Sequence, residues 1–114
     1  MKYIFLLYDQ DEDAFHGASE AEQMKIVSEH MAFSEALRNA GAMVEGAPLD
    51  HTREARRIRG VRIENGPFTD SKEQIGGYYV IEAKDLDEAL GWAARCPSAS
   101  YGKVEIRPFW TVPQ

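Results

Sequence analysis

SEAEQMKIVSEHMAFSEALRNAG, running from Ser19 to Gly41, is the stretch that decides the fold. Ser19 and Glu22 form an S-x-x-E capping box, whose side chains answer orphan N–H groups of a helical first turn. Gly41 supplies the left-handed stop, so the predicted helix covers about Glu20 to Ala40. At about 100° per residue its apolar side chains fall on one broad arc. Ile26, Phe33, Leu37 and Ala40 make one flank of that arc, and Met24, Val27 and Met31 the other. Lys25, Ser28, Glu29, Glu35 and Asn39 occupy the opposite, solvated side. Such a helix must bury its arc against another element, and strands are predicted on both sides of it.

Before the helix, Tyr3 to Tyr8 is a continuous apolar, β-rich run that reads as a central strand. The polar, glycine-terminated Asp9 to Gly17 reads as a loop. After the helix, Met43, Val44 and Leu49 mark a short strand that leads into a turn at Ala47-Pro48. From Glu54 to Glu64, Ile58, Val61 and Ile63 alternate with Arg56, Arg57, Arg59 and Arg62 around Arg59-Gly60, which predicts a hairpin. The loop from Glu64 to Gly77 precedes an apolar strand from Tyr78 to Ile81. Asp85 and Glu88 open a second helix with Leu86, Ala89, Leu90, Ala93 and Ala94 at helical spacing, and Pro97 lies past its end. Val104, Ile106 and Trp110 alternate with charged residues in a last strand. The order is β-α-β-β-β-α-β, an α+β ferredoxin-like arrangement: an antiparallel sheet with two helices on one face and an inserted hairpin. Such a sheet leaves its second face bare, and a homodimer is the simplest cover for the aromatic residues on it.

Composition narrows the function. The 114 residues fit one domain, 1–114, with room for a single core. At 44% hydrophobic and 28% charged the chain is of ordinary globular type. A formal charge of −6 argues against nucleic acid, whose phosphates call for a basic face. Cys96 is alone, so no internal disulfide forms, and a reducing, cytoplasmic setting is expected. The opening apolar run is too short for a signal peptide or a membrane span.

His30 stands between the two flanks of the apolar arc, with Ser34 one turn further along the same face. Burying an unbonded polar group costs about 1–3 kcal/mol, so an imidazole there needs a partner. Two readings follow. His30 is a structural histidine bonded to Ser34 or to a backbone carbonyl, or it lines a pocket as an acid or base near its ordinary pKa of about 6.5. An orienting carboxylate would favour the second, and Asp9, Asp11, Glu12 and Asp13 cluster where the first strand ends. Glu12 and Asp13 read as solvated.

NGPFTDSKEQIGGYYVIEAKDLDEALGWAARCP, from Asn65 to Pro97, resembles the signature of the DGPF branch of the YCII-related proteins. Asn65 replaces the first Asp of that pattern and Asp70 a Glu; MKYIFLLYDQDE at the start and VEIRPFW near the end match as well. The resemblance implies a dimeric α+β barrel. It also implies an acid/base pair in which His30 corresponds to the family histidine and Asp11 to its aspartate. One relative is a dehydrochlorinase acting on a chlorinated hydroxyquinol.

The Gly-Pro-Phe turn reads as a rigid scaffold: Pro67 fixes the backbone, Phe68 anchors the loop by burying its ring, and Asp70 and Lys72 stand at the cavity rim. Lys72 would attract an anionic or phenolate group and Asp70 would serve as a second acid. As exposed ion pairs the two would be worth only about 0–1 kcal/mol. The four arginines of the hairpin read as edge-strand guards. His16 and His51 lack metal-ligand spacing, Cys96 reads as a core filler, and Trp92 and Trp110 as core or dimer-seam residues. Gly76-Gly77 is no nucleotide loop. No cofactor or metal is expected. The expectation is a small-molecule-binding dimer in which His30 works as acid or base, Asp11 orients it and Ser34 bonds the ligand; Asp70, Lys72 and Phe68 complete the ligand wall. The rival is a non-catalytic regulatory module of an extracytoplasmic-function sigma factor system, a role the resemblance also allows.

Overall fold

The computed structural model describes residues 1–114. Four strands, β1 (Lys2–Asp9), β2 (Met43–Pro48), β5 (Gln74–Glu82) and β6 (Lys103–Pro108), form an antiparallel sheet in the order β2-β5-β1-β6. β3 (Arg56–Arg59) and β4 (Arg62–Asn65) pair only with each other. The long helix α2 (Glu20–Asn39) begins as its sequence requires, with Ser19 Oγ accepting from the Glu22 N–H at 3.2 Å. Gly41, at φ 71°, turns the chain back into β2. Period-two alternation sends Tyr3, Phe5 and Leu7 of β1 to one face. There they share a core with Phe33 and Leu37 of α2 and with Ala89 and Ala93 of α3 (Leu86–Arg95). The mixed, antiparallel α+β class is as expected.

Several local readings need correction. Residues 12–16, expected as loop, form helix α1 (Glu12–His16), because the Asp11 side chain caps the Ala14 N–H at 3.2 Å. After Pro97 the chain makes another short helix, α4 (Ser98–Tyr101), instead of running straight into the last strand. α3 buries Ala89 and Ala93, while Ala94 is exposed and Leu86 and Leu90 stay about half exposed; small side chains on the buried side let the helix lie close to the sheet. β6 stops at Pro108, and Trp110 beyond it is 77% exposed, outside the core of the chain. Trp92 does pack, edge-on against Phe33, and Cys96 fills the core. Phe68 is not buried; the residue stays 38% exposed, with its ring beneath the Arg57 guanidinium, 4.1 Å from the ring centroid.

The molecule is flat, 44 × 39 × 18 Å, with a radius of gyration of 15.5 Å, where a compact chain of this length has about 13 Å. Its accessible surface is 7803 Å², against about 6,300 Å² for a typical monomer of this mass. Part of the excess lies in the hairpin, whose Ile58, Val61 and Ile63 are all strongly exposed. The rest includes the sheet face away from the helices, where Ile4, Leu6 and Tyr8 are only half buried. No helix is long and apolar enough to cross a membrane.

Candidate functional site

The long helix does not seal against the sheet along its whole length. Between α2, α1, α4 and the ends of β1, β2 and β5 lies a cavity of about 510 Å³. His30 and Ser34 line it, as their shared helical face requires. Both ring nitrogens of His30 are engaged. Nδ1 lies 2.9 Å from the hydroxyl of Tyr79 on β5, and Nε2 lies 2.7 Å from the hydroxyl of Tyr101 on α4. Ser34 Oγ donates to Tyr79 at 3.4 Å, and the Tyr79 hydroxyl also reaches the His30 carbonyl at 3.4 Å. A neutral imidazole has one N–H and one lone pair, so one tyrosine donates to it and the other accepts from it. When the donating phenol gives its proton to the ring, the ring passes its other proton to the second phenol, which releases its own proton outward while the first regains one. The tautomer flips with no net charge, so Tyr79–His30–Tyr101 has the connectivity of a short proton path. Burial holds the His30 pKa below its ordinary 6.5 and raises that of Tyr79; it pushes Tyr101 up to about 12. The resting triad is therefore uncharged at neutral pH.

Asp11 does not orient this imidazole. Its carboxylate borders the same cavity, but it caps α1 and lies 3.7 Å from Lys72 Nζ. The carboxylate left free is Asp9, the last residue of β1, which makes no side-chain hydrogen bond and whose pKa burial raises. Its place was readable by parity: Tyr3, Phe5, Leu7 and Asp9 share one side of a strand. Gly76 makes room for it. The pairing of β1 with β5 runs Leu7 with Gly77 and then Tyr8 with Ile75, so Gly76 is the extra residue of a bulge. A Cβ on Gly76 would come within 2.7 Å of Asp9 Oδ1. Tyr79 and Tyr101 carried no signal, since one reads as an ordinary strand residue and the other as loop.

Asp70 and Lys72 are not in this cavity. They border a smaller polar hollow of about 360 Å³ beneath the Gly-Pro-Phe turn, together with Glu12, Asp13 and His51. Far from solvated, the Glu12 side chain is buried; it accepts from the Thr52 N–H at 3.0 Å and from the Thr52 hydroxyl. His51 Nε2 donates to Asp13 at 2.6 Å, a bond that lowers the Asp13 pKa. His16 and His51, remote in sequence, meet edge-on at 5.3 Å. Glu12, Asp13 and His51 converge closely enough to hold a metal ion, but the tautomer is wrong. His51 Nδ1 accepts from the Arg53 N–H at 2.9 Å, which puts the ring proton on Nε2, the atom facing the carboxylates. The cluster is a clamp between α1 and the single 3-10 turn at Thr52–Glu54.

A YCII-related domain model matches residues 1–112. An uncharacterized protein of Rhizobium meliloti (strain 1021) is 33% identical over 95% of this chain and 91% of its own length. Among solved structures, a 5-chloro-2-hydroxyhydroquinone dehydrochlorinase from Burkholderia phenoliruptrix AC1100, in complex with 2,5-dihydroxybenzoquinone, superposes with a TM-score of 0.56. That likeness covers 96% of this chain and 94% of the other at 16% identity, and so concerns the fold.

Proposed function

This chain belongs to the YCII-related family, and from that premise we propose that it is a proton-transfer enzyme, isomerase- or lyase-like, acting on a small hydroxylated ring. His30 is its acid/base group, Tyr101 and Tyr79 are the hydroxyls that pass the proton on, and Ser34 steadies Tyr79. One observation carries the reading: a neutral imidazole in a cavity wall, at hydrogen-bond distance from two phenols and bonded to no carboxylate. A dihydroxylated ring passes between enol and keto forms when an O–H proton leaves and a ring carbon gains one. A neutral imidazole takes the first and returns the second, with no change of oxidation state. The quinone bound by the dehydrochlorinase belongs to this ring class. Within the family, Asn65-Gly66-Pro67-Phe68 supports placement in the DGPF branch.

The test is solvent exchange. In D2O, the ring hydrogens of hydroxyhydroquinone, a neutral phenol at pH 7, should exchange faster with the protein than in buffer, as read by proton NMR. Tyr101→Phe should slow that exchange about tenfold by removing one member of the path. A protein that binds the ring yet exchanges nothing above the buffer rate is a binding module, and the regulatory reading takes over.

The active form in this proposal is a homodimer. The flat shape, the excess surface and the half-buried apolar face of β1 all support a second copy packed on the open side of the sheet. Sedimentation equilibrium should give twice 12.9 kDa, and Leu6→Glu on that face should return the monomer. A wild-type protein that sediments as a monomer at tens of micromolar removes this part of the proposal.

A further inference from the structure

We propose that the cavity selects its ligand by charge: it takes an uncharged or cationic ring that presents hydrogen-bond donors, rejects carboxylate and phosphate anions, and relies on Asp9 for the discrimination. The inference rests on the reading of the cavity as a site for a hydroxylated ring and adds the charge class of that ring.

None of the 24 residues lining the cavity is a lysine or arginine, while three are carboxylates, Asp9, Asp11 and Glu22. Their positions differ. Glu22 is exposed in the first turn of α2, and the charge of Asp11 is answered by Lys72 and by the Ala14 N–H. Asp9 alone is half buried with both oxygens free, above the bulge where Gly76 leaves it space. A carboxylate with unused lone pairs is an acceptor only, so the group it welcomes is an O–H or N–H of the ligand. The wall groups able to become cationic are His16 and His30, and burial keeps His30 neutral. An anionic ligand would thus meet a like charge with no lysine or arginine to offset it, and His16, the one other imidazole in the wall, already faces Asp9, whose pKa its charge lowers against the larger effect of burial. Lys72, the residue best suited by sequence to receive an anion, faces the other hollow.

Three probes that share one ring separate the possibilities: hydroquinone, 2,5-dihydroxybenzoate and 2,5-dihydroxybenzylamine, titrated calorimetrically into the full-length protein at pH 7.5 and low salt. The amine should bind at least as well as hydroquinone, and the carboxylate about 10- to 100-fold more weakly than hydroquinone. Asp9→Asn should narrow the gap between carboxylate and hydroquinone to a few-fold, and Asp9→Lys should invert it. Because burial raises the Asp9 pKa, a charged Asp9 strains the fold at neutral pH. Asp9→Asn should therefore melt no lower than wild type at pH 7, and Asp9→Ser serves as a second neutral variant. Equal affinity of wild type for the carboxylate and for hydroquinone overturns the charge filter and leaves the ring site standing. A gap that persists unchanged in both neutral variants overturns the role of Asp9. Failure of all three probes to bind folded wild-type protein overturns the ring reading, and this inference with it.

Discussion

Gly102→Ala is expected to destabilise the protein by about 2–4 kcal/mol and to lower its melting temperature by about 10 °C or more. Gly102 joins α4 to β6, and its N–H closes α4 on the Ser98 carbonyl at 2.8 Å. A Cβ at this position collides with the Tyr8 carbonyl oxygen and comes within 3.2 Å of the Tyr8 carbonyl carbon. Both belong to the central strand, which cannot yield as a flexible side-chain tip would. The lower entropy of an unfolded chain carrying alanine works the other way but contributes only about 0.4–1 kcal/mol, so the collision decides the sign. α4 is also what holds Tyr101 against His30, so a variant that still folds should bind the imidazole with one phenol fewer. The control is Gly91→Ala within α3, where an added Cβ meets nothing within 4 Å. It should stabilise by about 0.5–1 kcal/mol, because only the helix-propensity term remains. Urea denaturation of both variants measures the pair. Equal and small effects would mean that β1 and the α4–β6 junction do not pack as described.

What could be read in the sequence was whatever obeys a local rule. A capping box and a left-handed glycine bounded α2 to within a residue, and its periodicity put His30 and Ser34 on one face. Alternation placed the β1 side chains; carried one step further it would have singled out Asp9, where the sequence reading took Asp11 instead. What escaped were contacts that topology alone creates. Tyr79 and Tyr101 lie 49 and 71 residues from His30, on elements whose local sequence carries no mark of a partner. The clamp of Glu12, Asp13 and His51 joins two short turns that isolated propensity scarcely supports, and tertiary bonds settle it. Asp70, Lys72 and Phe68 went astray for a related reason. A rigid turn fixes the shape of a loop, yet which hollow the loop overlooks depends on where β5 begins, and that strand starts at Gln74, four residues earlier than its apolar core suggests.

His30→Gln is expected to cost about 10²- to 10⁴-fold in the rate of ring proton exchange while leaving ring affinity within a few-fold of wild type. Glutamine can still hydrogen-bond a tyrosine hydroxyl, so the wall survives, but an amide has no proton to trade at neutral pH. The pH profile distinguishes loss of a base from loss of packing. In wild type the neutral imidazole is the active form, and burial holds its pKa below 6.5. The rate in wild type should therefore stay level through neutrality and fall only below about pH 6.5, with an apparent pKa under that of free histidine. Stability follows the same group. The unfolded chain takes up the His30 proton at higher pH than the folded one, so stability is full above the unfolded pKa of about 6.5 and is lost as pH falls through the folded value. His30→Gln should remove both the acid limb of the rate and this share of the acid loss in stability. Should the variant keep the wild-type acid limb, the titrating group lies elsewhere, and Asp9, the half-buried carboxylate of the same cavity whose pKa burial raises, is the next group to test by Asp9→Asn. Which of the two substitutions, His30→Gln or Asp9→Asn, removes the acid limb therefore tells the imidazole from the carboxylate.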